Sequence, residues 1–271
     1  MRTSFTLFLV VFLGLISDSA RGDESGSGSS RPLRVLCYNI HWALGMDGEY
    51  DVARIAEVIK KEKPDLVALQ EVDVGVERSG RVHEIRELAR LTGLAARFGP
   101  TQHYQGGLFG NAVLTHLPIL DVAIHPLPYT ESTEEKTTYP RGAIAVTVEA
   151  PDGRPLRFVS THFQHNVPED RVAEAKAINE LFADELRTIL AGDINAKPED
   201  EPVQVLLEQW ENATGDPPAP TVPVKDPKSR IDYIFYRPAE AFLLKEARVI
   251  PEVMASDHRP VFAELEIADD E

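Results

Sequence analysis

The stretch Leu190-Ala191-Gly192-Asp193-Ile194-Asn195 ends an apolar run with two short polar side chains. The run 187–193 has the composition of a buried strand, so Asp193 and Asn195 fall at its carboxyl end. Strand ends of this kind are where α/β proteins place functional side chains. The same pattern is also compatible with a simple Asx turn. The interpretation therefore depends on whether other strands end in the same way.

Several other predicted strands begin or end with a polar side chain. The residues at these positions are Asn39, Glu71, His162, Asp232, Asp257 and His258. Taken singly, each has a structural explanation, since a strand-end Asn is commonly a turn residue and a lone His is commonly a satisfied core residue. Their joint occurrence favours a functional site.

The remaining pattern predicts one domain over residues 32–268. Apolar residues at helical spacing predict helices at 51–62, 81–92, 168–186 and 201–209, with Asp51 as an N-cap. Further strands are predicted at 33–40, 65–72, 111–116, 142–149, 156–163, 231–237, 245–250 and 260–267. Many strands with few helices indicate two packed β-sheets with helices outside, an α/β (α+β) fold.

The first 20 residues are predicted to be a signal peptide. Arg2 precedes a short apolar run at 5–16, and small residues follow it. The run is shorter than the about 20 residues of a membrane span, although an uncleaved anchor is the alternative. Residues 21–31 are predicted to be a flexible leader. We therefore expect an exported protein, periplasmic or secreted, whose mature chain does not insert stably into a membrane.

The charge balance argues against tight, non-specific nucleic-acid binding. The net charge is −16, and the densest basic stretch, Lys60, Lys61 and Lys63, falls on a predicted helix. Such binding normally requires a basic stripe. The single cysteine, Cys37, lies in an apolar run and is expected to be buried and inert. A monomer is expected.

The candidate site residues supply oxygen ligands and imidazoles without a cysteine cluster. Carboxylate and carbonyl oxygens suit hard cations such as Mg²⁺ or Mn²⁺. The sequence contains no zinc-type ligand spacing, no Gly-rich phosphate loop and no G-x-S-x-G motif. A hard divalent metal is therefore the expected cofactor.

The order of these motifs resembles that of the endonuclease/exonuclease/phosphatase superfamily, which has the DNase I-like fold. Within that superfamily the chain resembles a secreted bacterial-type member. The similarity extends from Arg34 to about Leu265. It rests on the motifs at 38–40, 69–72, 161–162, 192–195, 231–234 and 256–260. The resemblance implies a four-layer α/β sandwich with two central mixed sheets.

The resemblance also implies a metal site. Glu71 would be the main ligand, Asn39 would lie beside it, and Asp257 would be a further carboxylate of the site. The metal would be Mg²⁺ or Mn²⁺, as one or two ions, because the sequence leaves that number open.

The remaining motif residues receive catalytic roles from the same resemblance. His258 would be the general acid/base, oriented by Asp232. Asp193 and Asn195 would hold the nucleophilic water and a phosphate oxygen. His162 would bind a phosphoryl oxygen or help to protonate the leaving group.

Four residues outside the motifs are predicted to contact substrate. Arg141 would bind phosphate, with a surface ion pair as the alternative. Arg78 lies beyond the Glu71 strand. Tyr104 and Asn111 bound a Gly-rich stretch, 104–111, which is interpreted as a loop bordering the cleft or as a hairpin loop.

The sequence thus predicts a divalent-metal-dependent hydrolase of phosphoester bonds, most plausibly phosphodiester bonds. Three substrate classes remain open: nucleic acid, phospholipid head groups such as sphingomyelin, and small phosphoesters including inositol phosphates. A catalytically silent scaffold or binding protein on the same fold is the alternative from another class. The presence of Glu71, Asp193 and His258 argues against it.

Overall fold

The computed structural model describes residues 31–214 and 219–268. The predicted signal peptide and the predicted leader, apart from Arg31, lie outside these residues and stay predictions. Within the described ranges, no helix combines the length and apolar character needed to cross a membrane.

The chain forms twelve strands and four α-helices within the described residues. The strands are β1 (Leu33–Asn39), β2 (Leu66–Val74), β3 (Ala95–Tyr104), β4 (Gly107–Thr115), β5 (Ile119–Pro126), β6 (Gly142–Glu149), β7 (Pro155–His162), β8 (Thr188–Asp193), β9 (Glu211–Asn212), β10 (Asp232–Arg237), β11 (Phe242–Val249) and β12 (Val261–Ile267). The helices are α1 (Val52–Glu62), α2 (Glu84–Thr92), α3 (Pro168–Leu181) and α4 (Glu201–Leu207).

Two mixed sheets of six strands each make up the centre of the molecule. Their strand orders are β11-β12-β1-β2-β4-β3 and β5-β6-β7-β8-β10-β9. Strands β1 and β2 pair in parallel in the first sheet, and β7 and β8 pair in parallel in the second. Each sheet therefore has a central parallel pair whose carboxyl ends lie at one edge.

Three hydrophobic clusters define four layers. One cluster, containing Val35, Ile144 and Phe158, lies between the sheets. A second joins the first sheet to α1 and α2, and a third joins the second sheet to α3 and α4. The predicted four-layer sandwich of two packed sheets with outer helices is confirmed.

Helix α1 follows its sequence pattern closely. Val52, Ile55 and Ile59 are buried on one face. The Asp51 side chain accepts a hydrogen bond from the backbone N–H of Arg54, which is the N-cap role expected of it. The helix ends before Pro64, which cannot continue a helix.

Three strands, β3, β5 and the two-residue β9, were not predicted, and all three lie at sheet edges. Strand β3 interrupts its apolar residues with Gly99 and Pro100, and β5 leaves Leu120 and Ile124 exposed. An edge strand pairs on one side only, so it tolerates proline and a weak pattern. The predicted helix at 168–186 was too long, since α3 ends at Leu181. The following segment turns toward β8 and is held by Asp184, which accepts two hydrogen bonds from Arg157.

The stretch 104–111 is a hairpin rather than an extended loop. Strand β3 ends at Tyr104 and β4 begins at Gly107, which leaves a turn of Gln105 and Gly106. Both turn residues have positive φ, 43° and 77°. Positive φ at both central residues is the type I′ geometry that matches strand twist.

Candidate active site

The parallel strand pairs of the two sheets end beside each other. The Asn39 side-chain amide nitrogen at the end of β1 lies 3.2 Å from Glu71 Oε1 and 3.0 Å from Asp193 Oδ2. This one amide therefore bridges a carboxylate of the first sheet and a carboxylate of the second. The bond from Asn39 to Asp193 joins residues that are 154 positions apart in the chain.

Glu71 occupies a β-bulge. Its φ is +58°, and the register between β2 and β4 shifts between Leu69 and Val72. A bulge redirects a side chain out of the regular alternation of a strand. A positive φ is unfavourable for a residue with a Cβ, and such strain is concentrated at functional sites. The bulge therefore explains how Glu71 reaches the site from a buried strand.

Asp193 and Asp232 face each other across the antiparallel pair β8 and β10. Each side chain is almost completely buried. Burial, followed by the charge of Asp232, raises the pKa of the Asp193 carboxyl. Two buried like charges disfavour ionisation of one of them, and a cation beside the pair would favour the ionised form of both.

His258 lies against both carboxylates. Its Nδ1 is 3.0 and 3.1 Å from the two oxygens of Asp232, and its Nε2 is 3.8 Å from Asp193 Oδ2. Burial alone would lower its pKa, but the charges of Asp232 and Asp193 outweigh burial and raise the pKa to about 10. At neutral pH His258 is therefore an imidazolium whose orientation is fixed by Asp232.

The loop that carries His258 is fastened to β1 by Ser256. The Ser256 hydroxyl donates to the backbone oxygen of Asn39 at 2.7 Å and accepts from the backbone N–H of His258 at 3.2 Å. Sequence reasoning gave Ser256 no role, although it lies inside one of the motifs. The sequence signal for a role of Ser256 was its place in the motif 256–260, four residues before Pro260.

His162 has the opposite protonation preference. Burial, followed by the charge of Arg141, holds its pKa well below the usual value. Its Nδ1 is 3.2 Å from Arg141 Nη1, and Asn195 Nδ2 is 3.0 Å from its Nε2. Arg141 Nη1 and Asn195 Nδ2 are both donors, and a neutral imidazole accepts at one nitrogen only, so one of these two contacts is not a hydrogen bond. Asn195 is held in turn, because its backbone N–H donates to Asp193 Oδ1 at 2.9 Å.

Asp257 is more open than Asp193 and Asp232, with a side chain that is 47% exposed. The ring of His41 approaches it, with His41 Nδ1 3.8 Å from Asp257 Oδ1. His41 was not among the predicted residues. Together with Trp42 and Ala43 it adopts positive φ directly after β1, which sequence reasoning does not reveal.

The donor set fits a hard divalent metal. Asp193 and Asp232 present carboxylate oxygens which, with a ring nitrogen of His258, all lie within 4.8 Å of one another, and His258 as an imidazolium leaves the ligand role to the two carboxylates. The two buried carboxylates supply the negative charge and oxygen ligands that Mg²⁺ and Mn²⁺ favour. The predicted ligands Glu71 and Asn39 lie directly beside this cluster, and the assignment of the metal to them and to Asp257 stays a prediction.

A cavity of about 190 Å³ opens next to Glu71. It is lined by Glu71, Arg78, Gln102, Tyr104, Phe109, Tyr139, Arg141, His162 and His165. Three of the four predicted substrate contacts, Arg78, Tyr104 and Arg141, thus line one cavity. Arg141 is buried, so the alternative of a surface ion pair is wrong.

Asn111, the fourth predicted contact, lies elsewhere in β4. It is buried, and its side-chain amide donates to the backbone oxygen of Gly142 at 2.8 Å. That bond supports the start of β6, and substrate contact by Asn111 stays a prediction. Sequence reasoning missed Gln102, Phe109 and Tyr139, because they come from separate strands and loops without a motif.

Comparison with known proteins agrees with this architecture. The chain is similar to the crystal structure of an endonuclease/exonuclease/phosphatase from Beutenbergia cavernae DSM 12333, with 26% identity, a TM-score of 0.72, and coverage of 88% of this chain and 72% of that chain. It is similar to a mannosyl-6-phosphatase from Bacteroides thetaiotaomicron VPI-5482, with 20% identity, a TM-score of 0.69, and coverage of 86% and 99%. The human Nocturnin catalytic domain gives 21% identity, a TM-score of 0.67, and coverage of 88% and 95%.

No curated protein sequence matches the chain. The sequence profile of the endonuclease/exonuclease/phosphatase family matches residues 36–258, which include the site from Asn39 to His258. The chain belongs to the endonuclease/exonuclease/phosphatase family.

Proposed function

We propose that this chain hydrolyses phosphoester bonds with the help of Mg²⁺ or Mn²⁺. The observation that carries the proposal is the contact of His258 with both Asp232 and Asp193, beside the bridge from Asn39 to Glu71. A protonated histidine held by buried carboxylates can supply a proton to a leaving oxygen at neutral pH. One structural neighbour is named as a phosphatase, which agrees with this chemistry.

Arg141 is the residue best suited to bind the substrate phosphoryl group. It lines the cavity beside His162, and its Nε has no hydrogen-bond partner among the described residues. The carboxyl of the nearby Glu174 is mainly protonated at neutral pH, because burial raises its pKa to about 8. The Arg141 charge is therefore left for an anionic oxygen, and the buried guanidinium favours a tightly held oxyanion.

The proton transfers are assigned to Asp193 of the second sheet and to His258 of the loop before β12. Water attacks phosphorus, a new P–O bond forms, and the ester P–O bond breaks. Asp193 and Asn195 hold the water, Asp193 accepts its proton, and the His258 imidazolium donates a proton to the leaving oxygen. Asp232 fixes the His258 ring throughout, since it bonds to Nδ1. His162, neutral and in contact with Arg141, binds a phosphoryl oxygen.

A divalent ion held by Glu71, Asn39 and the neighbouring carboxylates would neutralise charge on the phosphoryl oxygens. The proposal allows one or two ions, and a metal titration decides between these numbers. The side chains proposed for catalysis are all present, which argues against the alternative of a silent scaffold protein.

We assign the protein to an exported location, as a monomer. Support comes from Arg2 and the apolar run at 5–16, which have the form of a signal peptide. Cell fractionation with and without residues 1–20 tests this. The shorter chain should remain in the cytoplasm, and equal distribution of both chains would contradict the assignment.

The enzymatic proposal is tested on the purified full chain with Mg²⁺, Mn²⁺ or EDTA. The substrates are plasmid DNA, RNA, a chromogenic diester, sphingomyelin and inositol phosphates. We expect at least one substrate to be hydrolysed in either metal and none in EDTA, and we expect Glu71→Ala and His258→Ala to lose the activity. Failure to cleave every substrate, or full activity in both variants, would overturn the proposal.

A further inference from the structure

The cavity beside Glu71 has two chemically different ends. Arg141 and His162 lie at one end, next to the carboxylates of the proposed reaction centre. Arg78, Tyr104 and Phe109 lie together at the other. A substrate whose phosphoryl group sits at the first end would direct another part of itself toward the second.

Arg78 is held rigidly at its end of the cavity. Its Nε and Nη2 donate to the two oxygens of the buried Asp73 carboxylate at 2.9 and 3.0 Å. Its guanidinium lies 4.6 Å from the ring centroid of Trp42, 4.7 Å from that of Tyr104 and 5.4 Å from that of Phe109. Bidentate pairing and stacking on rings fix both the position and the plane of an arginine.

The pairing with Asp73 decides what Arg78 can recognise. The charge of Arg78 is balanced by a carboxylate that is completely buried, so this end of the cavity has no excess positive charge to attract a second phosphate. Because Asp73 uses the hydrogen of Nε and one hydrogen of Nη2, three N–H donors remain, two on Nη1 and one on Nη2. A fixed, charge-balanced donor suits the oxygen of a neutral hydroxyl group.

Arg141 differs from Arg78 in this respect. Burial raises the pKa of its neighbour Glu174 to about 8, and within the described residues no carboxylate forms an ion pair with Arg141 as Asp73 does with Arg78. The charges of Glu71 and Asp193 act on Arg141 without such a pair. The anionic part of a ligand is therefore favoured at Arg141 and a neutral part at Arg78. These preferences match the two parts of an ester formed between an anionic phosphate and an uncharged alcohol.

The side walls are aromatic, with polar edges. Tyr104, Phe109 and Tyr139 line the cavity together with the Gln102 amide. Tyr139 is stacked on His165, with centroids 5.5 Å apart and an interplanar angle of 26°. The face of an aromatic ring is negative, so it receives the polarised C–H groups of a saturated ring, while the amide and hydroxyl groups meet its oxygens.

The size of the cavity limits the ligand. Its volume of about 190 Å³ is below the roughly 300–1,000 Å³ of pockets that enclose drug-sized ligands. One compact ring fits this space better than a nucleotide or a chain of them.

We propose that this cavity selects phosphoesters whose leaving alcohol is a compact, uncharged polyol ring, such as an inositol or a hexose, and that Arg78 is the specificity-determining residue that binds its hydroxyl groups. The inference rests on the proposed hydrolysis and deepens it, because it chooses among the three open substrate classes. A nucleic-acid strand, whose bases could stack on the same rings, is the competing outcome.

The first test compares matched esters on the full-length protein with Mg²⁺ or Mn²⁺. The monoesters are myo-inositol 1-phosphate and 4-nitrophenyl phosphate, and the diesters are glycerophosphoinositol and bis(4-nitrophenyl) phosphate. An oligonucleotide and sphingomyelin vesicles complete the set. We expect a polyol ester to give the highest kcat/KM after correction for the better nitrophenolate leaving group.

The second test substitutes Arg78. The double variant Arg78→Met with Asp73→Asn removes both charges, so that no buried carboxylate is left unpaired. We expect the kcat/KM of the polyol ester relative to the nitrophenyl ester to fall about tenfold or more, mainly through KM. Tyr104→Ala should lower the same ratio, and Tyr104→Phe should restore it.

Arg248 provides the matched control. It too is an arginine stacked on a ring, 4.3 Å from the Phe262 centroid, and paired with Glu62 and Glu246, but it lies outside the cavity. Arg248→Ala should leave the substrate ratio unchanged. A ratio that changes equally in Arg248→Ala would show a general loss of packing and would contradict the role of Arg78.

Binding of the alcohol alone separates this inference from the proposed hydrolysis. Free myo-inositol, titrated in EDTA and followed by ligand-observed NMR, should bind the wild type and bind the Arg78 double variant more weakly. Hydrolysis of any ester without polyol preference, with no such binding, would overturn only the inference. Absence of all hydrolysis would overturn the proposed function, and the binding result would then decide the cavity's ligand.

Discussion

The two histidines of the site both lie near Asp193, but His162 is neutral and His258 is protonated at neutral pH. Asp193 approaches both, at 3.5 Å from His162 Nε2 and 3.8 Å from His258 Nε2. The difference comes from their other neighbours, since Arg141 disfavours a proton on His162 and Asp232 favours one on His258. Environments that separate pKa values in this way assign acid and hydrogen-bonding roles to chemically identical side chains.

Replacing His258 should remove the general acid while preserving the fold. We expect His258→Ala to reduce kcat by about 10²–10⁴-fold, the usual contribution of a positioned proton donor. Steady-state kinetics with the best substrate of the panel measure the change. A variant with wild-type kcat would remove His258 from the mechanism.

The bulge at Glu71 predicts that two variants lacking the carboxylate, although both inactive, differ in stability. Glycine accepts φ near +58° without steric cost, whereas alanine does not. We therefore expect Glu71→Gly to be more stable than Glu71→Ala by about 1 kcal/mol, with both variants inactive. Urea unfolding of the two variants measures the difference. Equal free energies of unfolding would mean that the backbone at this position relaxes.

Residue-level prediction succeeded where a polar side chain interrupts an apolar strand. Asn39, Glu71, Asp193 and His162 are visible for that reason, and the structure brings all four together. Tyr139 and Gln102 carry no such contrast with their neighbours. Their meeting in one cavity depends on the packing of the two sheets, which a local pattern does not encode.

At the level of elements, the start of α2 is tied to β2 by a buried carboxyl group. The Glu84 side-chain Oε2 accepts a hydrogen bond from the backbone N–H of Asp73 at 2.8 Å. Burial raises the pKa of Glu84 to about 8. The helix therefore begins with a carboxyl group that is mainly protonated at neutral pH.

The stability of the fold should decrease as pH rises from about 4.5 to about 8. Unfolded Glu84 loses its proton near the ordinary glutamate pKa of 4.5, whereas the folded group keeps it until about 8. In this range the folded state binds more protons, so the free energy of unfolding falls with pH. Glu84→Gln, which stays neutral, should weaken that dependence, as measured by thermal melts between pH 5 and 9.

Glu57→Gln is the control for this measurement. Glu57 is exposed on α1 and pairs with Lys60. It should leave the pH dependence as in the wild type. Glu174, whose pKa is also raised to about 8 by burial, contributes the same trend and remains in Glu84→Gln. An unchanged slope in Glu84→Gln would contradict the assignment of the buried proton to Glu84.

Helices and strands were predictable where burial makes apolar residues recur at a regular spacing. Helix α1 follows from its apolar spacing and from Asp51, and β6 was predicted with its observed bounds, Gly142–Glu149. Strands β3 and β5 were not, because an edge position relaxes the demand for apolar residues. The active site is little affected, since its motif residues come from the central strands and the loops beside them.

At the scale of the whole molecule, hydrogen bonds connect the two sheets beneath the site. Gln70 Nε2 donates to Ser160 Oγ at 3.2 Å, and Ser160 Oγ donates to the backbone oxygen of Leu69 at 3.1 Å. Both residues are completely buried. These bonds hold β2 against β7, so the carboxylates contributed by each sheet keep a fixed separation, which is the pre-organisation that catalysis requires.

The site takes its residues from both sheets, so its proposed activity depends on the residues of each sheet and on the metal. The most direct measurement is the rate of hydrolysis of the preferred phosphoester during removal of metal with EDTA and stepwise return of Mn²⁺, for wild type, Glu71→Ala and Arg248→Ala. We predict that the wild type and Arg248→Ala lose activity in EDTA and recover it with a saturable dependence on Mn²⁺, while Glu71→Ala stays at background. Activity that persists in EDTA, or full recovery in Glu71→Ala, would contradict metal-dependent hydrolysis at this site.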